Sequence, residues 1–296
     1  MEHAVENLGT ISTHALEELR RSIEKVVDVE QTYVSEESIE GLTMTFLLKE
    51  DYLATSVEII NDIGEIMKVF PDVRYRIYGH SYAAKELENA NLYFIKNCKL
   101  GKVIYNKSNL ESFHSQEKDE IESLLKKATK RIAGETERIN SFTEGIKFYR
   151  KRKEWAGAAF LIHQKLEWLY RYMETFAMGK PLICHKIKNH LTYAHPFIHG
   201  AGPIINTERR DELQLLEVLD RSYIESRYNS AFDITKREVK ILDERAELME
   251  NQVKEIFQFR MDDCLKLLSG KKERIPVDPK KRDEKEQNEK EDEDMT

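Results

Sequence analysis

Two long apolar stripes in the second half constrain this 296-residue chain more than any other feature. From about Gln116, apolar side chains recur at Ile121, Leu125, Ala128, Ile132, Ile139, Phe142, Ile146 and Tyr149. A second series runs Trp155, Ala159, Ile162, Leu166, Leu169, Met173 and Phe176. Steps of three and four return to one side of an α-helix, so each stripe predicts one long helix. The second must stop at Gly179-Lys180-Pro181, because glycine accepts a left-handed C′ position and proline cannot continue a helix. Helices of this kind expose an apolar face that has to be buried on a neighbour.

Further helical patterns follow. A short amphipathic piece is expected near His185 to Ala194, then a stretch of breakers (Pro196, Gly200, Gly202, Pro203), then a helix from about Glu208 to Tyr228 carrying Leu216, Leu219 and Tyr223. Thr235-Lys-Arg-Glu238 reads as a capping box, and Val239, Leu242, Ala246, Met249, Val253 and Ile256 sustain a final helix behind it. Helices joined by short connections, with no strand-like segment among them, predict an up-and-down bundle. The first hundred residues differ. Gly41 to Leu48, Val73 to Tyr78 and Lys102 to Tyr105 are rich in β-formers, with helical stretches at Ala15 to Val29, Tyr52 to Phe70 and Tyr82 to Ala90. The expected fold class is therefore α+β: a small α/β domain over residues 1–112, an all-α bundle over 115–268, and a disordered charged tail over 271–296, where 18 of 26 residues are charged.

Composition narrows the function classes. The net charge of −7 would not by itself draw the chain to nucleic acid, but the charge is unevenly spread. Residues 1–141 carry 18 basic and 25 acidic groups, residues 142–270 carry 21 and 19, and the tail carries 8 and 10. The acidity belongs to the first half, and the bundle is slightly basic. Cys98, Cys184 and Cys264 are odd in number and widely spaced, which fits neither a disulfide framework nor a zinc knuckle. No apolar run approaches the roughly 18 to 20 residues of a membrane span, and the start of the chain has no signal-peptide pattern. The expectation is a cytoplasmic protein without a membrane partner.

Three segments of the bundle stand out together: Ala158-Ala-Phe-Leu-Ile-His-Gln-Lys-Leu-Glu167, His185 within Cys184-His-Lys-Ile-Lys-Asn-His-Leu191, and Arg221-Ser-Tyr-Ile-Glu-Ser-Arg-Tyr228 followed by Asp233-Ile-Thr. They resemble a HEPN domain over roughly residues 115–268. Such domains commonly follow a minimal nucleotidyltransferase domain, and Leu87 to Tyr105 is similar to the end of one. The resemblance implies a nucleotide- or RNA-binding helical domain, a homodimer formed through the bundle, and a nucleotidyltransferase-like first domain.

The chemistry of both families departs from this sequence. Nucleotidyl transfer needs a Gly-Ser turn and an Asp-x-Asp pair that holds a metal against the triphosphate, and neither motif is present. Glu36, Glu37, Glu40, Glu50 and Asp51 flank the first candidate strand without the alternate spacing that would set two on one face, and read as a solvated loop. HEPN ribonucleases usually carry Arg-x(4–6)-His, which does not occur within residues 115–268. The match Arg74 to His80 falls on a predicted strand of the other domain. No catalytic residue is assigned. His185, His190, His195 and His199 beside Cys184 are spaced so that three do not share a helical face, so no metal and no cofactor are expected.

The candidate binding residues are His163, Glu167, Arg221, Arg227 and Tyr228, with a basic patch of Lys147, Arg150, Lys151, Arg152 and Lys153. His163 and Glu167 lie four apart on one helix face, which suits either a ligand site or a packed histidine oriented by a carboxylate. Arg221, Arg227 and Tyr228 combine guanidinium forks with a ring, the chemistry of phosphate and base recognition; a cationic turn matching the helix dipole is the structural alternative. The expected function is non-catalytic binding of nucleotide or RNA phosphate. The alternatives are a divergent ribonuclease or nucleotidyltransferase of a toxin-antitoxin-like system, and a protein-protein interaction partner.

Overall fold

A computed structural model describes residues 13–37, 41–71, 73–107, 111–115, 117–195, 204–229 and 231–269. The charged segment 271–296, the breaker-rich stretch 196–203 with His199, and Glu40 lie outside them. The fold is α+β, with a four-stranded sheet in the first part and long helices after it.

Helix α1 (Thr13–Glu24) precedes β1 (Val29–Glu37) and β2 (Gly41–Leu48). Helix α2 (Val57–Met67) crosses to β3 (Val73–Gly79), which runs directly into α3 (His80–Glu88). A short helix α4 (Leu92–Phe94) continues as a π-helical turn over Ile95–Lys99 before β4 (Lys102–Asn106). The sheet order is β3-β2-β1-β4, with β2 parallel to β3 and both other pairings antiparallel.

Strand β1 corrects the sequence reading, which expected helix up to Val29 and a solvated loop at Glu36 and Glu37. Its sequence, Val-Glu-Gln-Thr-Tyr-Val-Ser-Glu-Glu, has almost no apolar alternation, yet it is a central strand bonded on both edges. Its polar side chains are employed inside the fold: Gln31 accepts from the Tyr33 hydroxyl at 2.7 Å, and Ser35 bonds Asn97 of the π-turn. Buried polar groups with partners are tolerated, and a pattern search that requires apolar residues overlooks them.

The sheet is covered on both faces. Val34, Met44, Phe46, Leu48 and Val73 pack with α1 and α2. Tyr33, Leu47 and Tyr78 point the other way, into a core that continues through α4 into the helical part. One of the two apolar cores thus runs across the boundary expected between residues 112 and 115.

The helical part is α5 (Lys118–Arg152), α6 (Trp155–Met178), α7 (Ile187–Ala194), α8 (Arg210–Tyr228) and α9 (Lys236–Leu268). The capping box at Thr235 and Glu238 is formed. Gly179 ends α6 at φ +79°, as its position before Pro181 predicts. Helix α6 is more central than a one-sided stripe implies. Beyond the apolar series, Lys165, Glu167, Tyr170, Tyr172 and Glu174 are also buried, because α5, α7, α8 and α9 surround it. Lys165 reaches Glu250 of α9 at 2.8 Å and Thr143 of α5 at 3.1 Å.

Side-chain contacts fix the helix directions. The contacts Thr143 to Lys165 and Glu135 to Trp168 make α5 and α6 antiparallel. Asp220 near His163 and Arg227 near Phe160 make α6 and α8 antiparallel. Lys165 to Glu250 and Phe176 to Phe257 make α6 and α9 parallel. The C-terminal ends of α5 and α8 therefore gather with the N-terminal ends of α6 and α9 at one end of the bundle.

The sheet is pinned to the opposite end. The Tyr78 hydroxyl donates to the Met178 carbonyl, and Tyr82 and Asn91 donate to the Gly179 carbonyl at 3.1 and 3.2 Å. Lys96 pairs with Asp263 at 2.9 Å, both almost wholly buried.

Candidate functional site

The site is built on α6. His163 and Glu167 lie one turn apart, but they do different things. His163 is fully buried; its Nε2 donates to the His185 carbonyl at 2.7 Å, and Gln164 Nε2 lies 3.3 Å from its Nδ1. Burial pushes its pKa down to about 4, so the ring is neutral at pH 7 and serves as an internal strut. Glu167, at 9% exposure, receives Arg171 at 2.7 Å and His185 Nδ1 at 3.1 Å.

His185 is the exposed member, with 55% of its side chain in solvent. Its ring stacks on Tyr223 of α8 with centroids 4.4 Å apart, and the Tyr223 hydroxyl lies 3.3 Å from Nε2. One ring nitrogen is thus held by a buried carboxylate, and the other faces a phenol at a solvent-accessible surface.

The connection between α6 and α7 is held tightly enough to fix that imidazole. The Cys184 carbonyl accepts from Arg171 and from His190 Nε2, both at 3.0 Å. His190 Nδ1 meets Glu174 at 2.8 Å with both side chains fully buried, and the other Glu174 oxygen accepts from the Leu182 amide at 2.8 Å. Asp220 of α8 accepts from the Ile187 amide at 2.7 Å at the start of α7. Desolvation raises the Asp220 pKa, against the lowering effect of the Ile187 and Lys188 amides. Two of the histidines set aside as metal candidates, His185 and His190, are therefore bonded to carboxylates and carbonyls. Among the described residues, no three His, Cys, Asp or Glu side chains form a metal-binding group.

Helix α8 supplies the cation. Arg227 folds back on its own helix, donating from Nε at 2.9 Å and from a terminal nitrogen at 2.6 Å to the Tyr223 carbonyl. Its guanidinium carbon lies 4.7 Å from the Tyr223 ring centroid, 5.1 Å from Phe160 and 5.3 Å from Tyr228. A guanidinium held over rings keeps its charge and its remaining N–H groups for an anion. His163, Glu167, Arg227 and Tyr228 of the sequence candidates are thus brought to one locality. Arg221 is not: it points to solvent, 3.8 Å from Glu225, and joins none of these ring contacts.

Phe160, His185 and Tyr223 complete the cluster and were not among the chosen residues. The signal for them was present, since Phe160 with His163 and Tyr223 with Arg227 are spaced to share a helix face. That the two faces meet is visible only in the packing of α6 against α8.

The basic patch at the end of α5 is partly neutralised. Lys147 pairs with Glu144 at 2.8 Å, Arg152 with Glu154 at 2.5 Å, and Arg150 with Asp243 of α9. Lys151 and Lys153 have no ion pair among the described residues, and Lys153 closes the turn into α6 with a left-handed φ of 63°.

In the sheet region, Asp51 is bonded to the Ser81 hydroxyl and accepts from the Tyr82 amide at 3.5 Å, so it caps α3. Arg76 lies over the Tyr193 ring at 5.2 Å, and His80 stacks on Phe113 at 4.8 Å with its pKa lowered by burial. No helix among the described residues is long and apolar enough to cross a membrane. No protein-family model matches the chain, and no curated protein matches it.

Proposed function

We propose that the helical region is a HEPN-type domain that binds nucleotide or RNA phosphate without turning it over, and that the sheet region is a nucleotidyltransferase-like domain lacking its catalytic motifs. One observation carries the reading: Arg227 is fixed over the rings of Phe160, Tyr223 and Tyr228, and the same Tyr223 ring stacks on the exposed imidazole of His185. A phosphate would meet the Arg227 guanidinium, and a base would find a ring to stack on. The same reading includes a cytoplasmic location and a homodimer formed through the bundle; light scattering of the purified chain tests the dimeric state.

Calorimetric titration with AMP and ATP tests the ligand. Binding is expected, and Arg227→Ala should weaken it about tenfold or more, the range of a charge-assisted hydrogen bond. Arg221→Ala, outside the cluster, should change it little. No heat at millimolar nucleotide would refute the reading.

The second reading, a divergent phosphodiester-cleaving enzyme, is favoured by the His185–Glu167 pair, because an exposed imidazole oriented by a buried carboxylate is equipped to transfer protons. Labelled RNA incubated with the protein separates the two. Product that disappears in His185→Gln would establish the enzyme.

A further inference from the structure

The cation clusters at the ends of α5 and α8, separate in sequence, lie at one end of the bundle. Antiparallel packing puts the last turn of α8 against the second turn of α6. Only five residues, about 7.5 Å of helix rise, separate Phe160 from Trp155 at the head of α6, which directly follows the α5 turn. Two large rings stand out there. Tyr228 is 78% exposed and Phe148 is 56% exposed; Tyr52, in the sheet region, is the other strongly exposed ring among the described residues. Each carries its own guanidinium, Arg227 at 5.3 Å from Tyr228 and Arg152 at 5.4 Å from Phe148. At the same end of the bundle Lys151, Lys153, Lys236 and Arg237 are exposed and have no ion pair among the described residues. Glu144, Glu154, Asp243 and Glu225 each already hold a cation.

We propose that this end of the bundle is a binding surface for single-stranded nucleic acid, with successive bases stacking on Tyr228 and Phe148 and the strand's phosphates tracking the lysines and arginines between them. The proposal rests on the phosphate-binding reading of the Arg227 cluster and extends it from one nucleotide to a strand. Stacking needs bases that are not paired, so the rings select a single strand over a duplex. Charge alone would serve any polyanion, and it gives no use for two solvent-facing rings with guanidiniums attached.

The experiment uses the full chain and four probes: AMP, a fluorescein-labelled twelve-nucleotide single-stranded RNA, the same RNA as a duplex, and polyglutamate of matched charge. At low salt the single strand should bind at least tenfold more tightly than AMP and more tightly than the duplex. The logarithm of its affinity should fall linearly with the logarithm of salt, by about 0.7 per phosphate contacted. Phe148→Ala and Tyr228→Ala should each weaken the single strand about five- to a hundredfold, the range for loss of one stacking ring. Phe148→Leu, which keeps apolar bulk without a ring, should weaken it as well. Circular dichroism melting verifies that these surface variants remain folded. AMP binding with no gain for the twelve-mer would overturn this inference alone, whereas failure of AMP itself would overturn the reading beneath it. Wild-type affinity in all three ring variants, or equal binding of polyglutamate of matched charge, would also overturn the proposal.

Discussion

Replacing His163 by glutamine should change how the protein responds to acid more than it changes stability at neutral pH. Burial holds the His163 pKa at about 4, against 6.5 for the unfolded side chain. Between these values the unfolded chain binds a proton that the folded chain does not, so stability falls as pH drops from about 6.5 toward 4. At pH 4.5 the loss relative to pH 7.5 comes to about 2.5 kcal/mol, at 1.36 kcal/mol per pH unit of differential titration. Glutamine can still donate from Nε2 toward the His185 carbonyl but takes up no proton in this range. The assay is urea unfolding at pH 7.5, 6.5, 5.5 and 4.5, followed by tryptophan fluorescence and far-ultraviolet circular dichroism; Trp168 on α6 reports on the bundle directly. Carboxylates titrate in both proteins and cancel in the difference. The stability gap between wild type and His163→Gln should narrow by about 2.5 kcal/mol from pH 7.5 to 4.5, and parallel pH profiles would refute the assignment of His163 as a neutral strut.

Two other perturbations probe how the sheet is fastened to the bundle. Lys96→Met leaves Asp263 charged and buried without its partner, so unfolding free energy should drop by about 3–5 kcal/mol; the double variant Lys96→Met with Asp263→Leu should recover most of it in the same denaturation assay. Gly179→Ala forces a side chain into φ +79° and puts a methyl 2.6 Å from the Tyr78 hydroxyl, so thermal melting should show a loss of at least about 1–2 kcal/mol. Gly134→Ala, on α5 with nothing within 4 Å of the new methyl, should instead stabilise by about 0.5–1 kcal/mol.

Much of the helical architecture was legible because its signals are local. The Ile162–Leu166–Leu169 stripe, the Gly179 stop and the Thr235–Glu238 box each depend on residues within a few turns of one another. Strand β1 was not legible, because its stability comes from β2 and β4 on its edges and from partners such as Asn97, sixty-two residues away from Ser35. The candidate site divides in the same way. His163, Glu167, Arg227 and Tyr228 were readable as residues able to bind a ligand, yet the sequence did not separate the buried His163 from the exposed His185, since burial is a property of what surrounds α6.

By itself, then, the sequence determined where the long helices of the second part run, where α6 ends and α9 begins, and that a slightly basic bundle follows an acidic first half. Periodicity, capping and charge are written in neighbouring residues. Only the tertiary structure decided that α6 packs against α5, α7, α8 and α9 and that Arg227 meets Phe160. It also decided that the cations of α5 and α8 lie at a single end of the bundle. Those outcomes depend on helix direction and on which faces pack, quantities set by burying the whole core at once rather than by any one segment.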